Sequence, residues 1–107
     1  MSKPQNADRA RIHTIGFIID WTDSPYHIAL LRGARDAARE YNMSLLAFVG
    51  GALESPRPHE RPKNAVYDYV NGHCVDGIVI AASSVGAWQT TEQLNRFCRR
   101  FAPLPDR

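Results

Sequence analysis

The chain holds only two cysteines in 107 residues, Cys74 and Cys98, and they form no CxxC pair. That leaves no disulfide framework and fits a reduced compartment. No segment approaches the ~20 apolar residues needed to span a bilayer. Met1 to Arg11 is polar and mixed in charge, without the apolar core of a signal peptide. The net charge is only +2 and the basic residues are spread out, which argues against nucleic acid or a membrane surface as partner. A cytoplasmic chain is therefore expected, with residues 1–11 as a disordered tail or the end of a linker.

Several chemical signatures are missing as well. Neither GxGxxG nor GxxxxGK[ST] occurs, so a dinucleotide or nucleotide phosphate site has no support. A phospho-accepting receiver needs an Asp ending its third strand and an acidic pair after the first; here the third strand ends Ala81-Ala82-Ser83 and the first supplies only Asp20. Trp21 to His27 does not match a flavodoxin-type phosphate loop. Ser83 or Ser84 could meet His27, but there is no GxSxG elbow and no evident third member. His59, His73 and Cys74 lack metal-ligand spacing. The expectation is no cofactor, no metal and no enzymatic activity.

At 44% hydrophobic and 22% charged, the composition is that of one small folded domain. Ile12 to Asp20 reads as a strand whose near-continuous apolar centre predicts burial on both faces. Pro25 opens a helix behind Ser24 or Asp23 as N-cap, running to about Tyr41. Within it, Gly33 suggests close packing of helix on sheet. Asn42 is placed to end the helix in a left-handed cap. Ser44 to Val49 is a second strand, and Gly50 to Pro62 a Gly- and Pro-rich loop. Asn64 to Asn71 reads as a short helix burying Val66, Tyr67 and Val70. Val75 to Ala82 is a third strand and Ser83 to Trp88 a loop. Thr90 and Gln93 form a capping-box pattern ahead of a helix with Leu94, Phe97, Cys98 and Phe101 on one face.

Strands alternating with helices (βαβαβα) call for an α/β fold, an open parallel sheet flanked by helices. In order 2-1-3, winding reverses between strands one and three, and ligands bind at such a switch point beyond the carboxyl ends of the strands. The loops Trp21 to His27 and Ser83 to Trp88 would meet there, each bringing a Trp among hydrogen-bonding residues. An indole face beside Asp and Ser suits a polar ring such as a sugar. The competing expectation is that each Trp merely caps the local core.

The stretch IGFIIDWTDSPYHIALLRGARDAAREYNMSLLAFVGG, followed by VYDYVNGHCVDGIVIAAS, resembles the first half of the N-terminal lobe of type I periplasmic-binding-protein folds. The nearer likeness is to effector-binding domains of the lactose/galactose-repressor (LacI/GalR-type) family, over about Ile12 to Pro105. The resemblance implies a partial ligand-sensing lobe over 12–105, ending abruptly at 106–107. It implies ligand contacts from the loops after the three strands: Trp21, Asp23, Ser24 and Tyr26; Gly50 and Gly51; Ser83 and Ser84. Trp88, on the third of these loops, joins the candidates.

Three departures qualify the match. No helix-turn-helix module precedes the first strand, so this chain is not expected to bind DNA directly. The signal peptide of periplasmic members is absent. The fourth strand and second lobe do not follow, and the loop GGALESPRPHERPKN resembles cytoplasmic sensors fused ahead of histidine kinase or diguanylate cyclase modules. The expected function is sensing of a sugar-like small-molecule effector, coupled to signal transduction or transcription. The alternative is a half-lobe acting as a protein-interaction or dimerisation module. Self-association is expected in either case, because an apolar third strand would lie at the sheet edge.

Overall fold

The computed structural model describes residues 12–106. The tail expected over 1–11, and Arg107, lie outside that span. Three parallel strands form one sheet: β1 (Thr14–Ile19), β2 (Ser44–Val49) and β3 (Gly77–Ile80), in order β2-β1-β3. Four helical segments join and follow them. These are α1 (Pro25–Glu40), a 3-10 helix (Arg61–Tyr69), α2 (Ala82–Val85) and α3 (Thr91–Arg99). The α/β class and the 2-1-3 order are those expected from the alternation of elements.

β1 is central, and its two faces are read from its register. Ile15, Phe17 and Ile19 stand level with Leu45, Ala47 and Val49 of β2, while Gly16 and Ile18 stand level with Leu46 and Phe48. Successive residues alternate faces. α1 lies over the Ile15–Phe17 face, where Ala34, Ala37 and Ala38 approach Ile15, Phe17 and Leu45. On the other face a Cβ at Gly16 would stand 3.1 Å from Val75 and 3.2 Å from Phe48. Ile18 and Ile19 are fully buried, each contributing roughly 1.5–3 kcal/mol of apolar burial. Tyr67, Phe97 and Phe101 continue the core as two successive edge-on ring contacts, 5.7 and 5.2 Å between centroids.

Local signals explain the ends of the elements. Ser24 caps α1 by accepting the His27 N–H, with Pro25 in the first turn. Asn42 takes φ 56° just past the helix, the left-handed residue its type permits. Thr90 and Gln93 close a complete capping box on α3.

Four expectations need correction. β3 is shorter than Val75 to Ala82, because Val75 is packed beneath Gly16 before pairing begins. The stretch after β3 is not all loop, since Ala82–Val85 winds into a helical turn with Val85 fully buried. The helix expected from Asn64 starts three residues earlier and is of the tighter 3-10 type; Tyr67 and Val70 are buried as expected, Val66 only partly. Gly33 makes no close contact with the sheet: a Cβ there would meet nothing within 4 Å. The close approach falls at Gly16 instead.

Candidate functional site

Parallel strands deliver their carboxyl ends to one rim, and Asp20 stands there as the first residue after β1. The turn that follows, the start of α1 and the α2 turn after β3 converge on it. Asp20, Trp21, Ser24, His27, Ser84 and Trp88 line one side of a cleft of about 410 Å³. Ala52, Arg57 and Glu60, from the loop after β2, close the other side. Both tryptophans of the chain face this space, with Trp21 41% and Trp88 52% exposed, so neither indole is consumed by the core.

His27 is the hub of a hydrogen-bond chain beneath the cleft. Its Nδ1 lies 2.5 Å from Ser24 Oγ, and its Nε2 lies 2.7 Å from Ser84 Oγ and 3.3 Å from Asp20 Oδ1. Ser84 Oγ in turn donates to Asp20 Oδ1 at 2.6 Å. Proton counting assigns the roles. A serine hydroxyl has one proton, and the acceptor-only carboxylate takes it, so the ring must donate from Nε2 to Ser84. An activated serine needs the reverse, with the ring nitrogen accepting the hydroxyl proton and a carboxylate on the opposite ring nitrogen. The carboxylate missing from the sequence reading of Ser84 and His27 is thus present. It bonds the serine itself, on the same side of the ring.

The far wall is built around a buried carboxylate. Glu60 is 3% exposed, yet it lies in the Pro-rich loop where composition points to solvent. It accepts from Ser55 Oγ at 2.8 Å, Arg57 Nη1 at 3.1 Å and the Ala52 N–H at 3.2 Å. The Ser55 bond does most to hold the carboxyl below its ordinary range, aided by the Ala52 N–H and Arg57, while burial opposes them. Tyr67 pins the rim from below, donating to the carbonyl of Gly51 at 2.8 Å. Burial, then the Asp20 carboxylate, raise its phenol well above the ordinary range.

The candidates read from the sequence are dispersed unequally. Trp21, Ser24, Ser84 and Trp88 share the cleft. Asp23 lines a second cleft of about 310 Å³ with Trp21, Thr22 and Gly50. Tyr26 is 55% exposed; its hydroxyl lies 3.3 Å from Ser83 Oγ, and neither residue lines the main cleft. Gly51 is buried, with its N–H on Asn64 Oδ1. Asp20, Arg57 and Glu60 were not among the candidates, and His27 was raised only as a partner for Ser83 or Ser84, not as a ligand contact. Asp20 and His27 bracket the aromatic turn and could have been found from that position. Nothing local marks Arg57 or Glu60, whose partners form only when the loop closes on itself.

Among the described residues no group of three or more His, Cys, Asp or Glu side chains could hold a metal ion, and no helix is long and apolar enough to cross a membrane. No family model, curated protein or solved structure matches the chain.

Proposed function

We infer that the cleft is a non-enzymatic binding site for a small, neutral, sugar-like molecule, and that the chain is a sensing lobe which passes occupancy on to signalling or transcription. The observation that carries this reading is the pairing of two half-exposed indoles with a polar floor at the switch point of the sheet. Indole faces stack on the apolar faces of a sugar ring, while hydroxyls need neighbouring donors and acceptors. Arg57 supplies the donors, since only one of its guanidinium bonds is made to Glu60. The hydrogen-bond direction at Ser84 favours binding over serine chemistry. The resemblance to LacI/GalR-type effector domains points the same way and suggests a cytoplasmic setting.

Because both tryptophans line the cleft, their emission reports occupancy directly. Titration with a panel of neutral monosaccharides to millimolar concentration is the test. A saturable change in emission, lost in Trp88→Ala, is expected. A flat response across the panel overturns the reading.

A second reading, pairing with another copy of the chain, rests on β3. Within the described residues it forms an outer edge of the sheet, and Val79 is 51% exposed beside an apolar groove under α1. An unpaired edge offers free N–H and C=O groups to an incoming strand. Sedimentation equilibrium should show a dimer that Val79→Lys weakens; a monomer at high concentration overturns this second reading.

A further inference from the structure

We propose that the site takes a ligand of two linked sugar rings rather than one, seated astride Trp21; this rests on the sugar-like reading above. Two clefts open at the same rim, one of about 410 Å³ and one of about 310 Å³. They share two residues, Asp20 and Trp21, and no others. Each lies within the size range of small-molecule sites, roughly 300–1,000 Å³. Trp21 therefore divides one continuous rim into two compartments.

The second compartment has the chemistry of a further hydroxyl-binding subsite. Thr22 and Asp23 come from the turn after β1, Gly50 from the end of β2, and Lys63 from the 3-10 helix opposite. They bring a cationic donor, a carboxylate acceptor and the Thr22 hydroxyl to one compartment. A single ring stacked between Trp88 and Trp21 would leave this compartment filled with water. A second ring, linked past the edge of Trp21, reaches Lys63 and Asp23.

The test compares matched probes on the full chain. Glucose, galactose and mannose are titrated against maltose, melibiose and mannobiose, following tryptophan emission and the backbone amide NMR shifts of Thr22, Asp23 and Lys63. At least one disaccharide should bind about ten-fold more tightly than its monosaccharide, the gain from one or two added hydrogen bonds. That disaccharide alone should shift the three amides. Lys63→Gln, a change at an exposed position, should bring its affinity down towards that of the monosaccharide and leave the monosaccharide unaffected. Equal affinities with silent amides at Thr22, Asp23 and Lys63 overturn the two-ring proposal and leave the sugar reading standing. Binding of neither class overturns both.

Discussion

Glu60→Gln keeps the shape of a buried side chain and removes its charge. In the native chain Oε1 accepts from Ser55 and Arg57 while Oε2 accepts from the Ala52 N–H. An amide has one acceptor oxygen. If that oxygen keeps Ser55 and Arg57, the amide N–H groups face the Ala52 N–H and leave it without a partner. A flipped amide faces two donors instead. The better of these orientations leaves one buried donor unsatisfied, costing about 1–3 kcal/mol, and weakens two charge-assisted bonds. A total loss of about 2–4 kcal/mol is expected, against the ~5–15 kcal/mol that stabilises a typical domain. Urea unfolding followed by tryptophan emission should move its midpoint down by about 1–2 M. The effect also has a pH signature. The folded carboxyl is held below its ordinary value of 4.5, so its stabilisation is fully present above that value and is lost as pH falls through the folded one. The wild-type and variant midpoints should therefore converge in acid. A gap under about 0.5 kcal/mol at pH 7, or one that persists unchanged in acid, would refute the argument that three donors hold an ionised Glu60.

Three further outcomes follow from the packing. Gly50→Ala places a Cβ 2.4 Å from the Tyr67 ring and should lower stability by about 1–3 kcal/mol or more, measured by thermal unfolding. Gly33→Ala should do the opposite: with nothing within 4 Å, the gain is about 0.5–1 kcal/mol of helix propensity, read from the same melt. Tyr67→Phe removes the hydroxyl donated to Gly51 and should cost about 1–2 kcal/mol in chemical denaturation, with the far-ultraviolet circular dichroism spectrum unchanged.

The parts of this fold legible in sequence are those set by short-range chemistry. Leu45 to Val49 is an uninterrupted apolar run behind Ser44, and the expected limits Ser44–Val49 match the observed strand. Ser24, Asn42 and Thr90 act on backbone groups within a few residues of themselves, so their types alone announce the helix ends. The switch-point rim followed from the 2-1-3 winding. The rest depended on long-range packing. The sequence points to Gly33 for the close approach, and the stacking of Val75 and Phe48 under β1 puts it at Gly16 instead. Val85 is drawn into the core by neighbours far away in the chain, which turns an expected loop into a helical turn. Glu60 sits among prolines and charges that signal solvent, and its burial depends on Ser55, Arg57 and Ala52 folding back over it. The rim was therefore visible while half of its wall was not.

The contact between Gly50 and Tyr67 has a consequence for how such a chain can change over generations. The ring fills the volume any larger residue at 50 would need, while its hydroxyl ties down the neighbouring carbonyl of Gly51. Position 50 cannot enlarge while that ring is in place. A substitution at 50 becomes tolerable only after the ring at 67 has shrunk, and that first step releases the strap across the rim. Descendants that keep the cleft should retain the two residues as a unit, and those that lose one should soon lose the other.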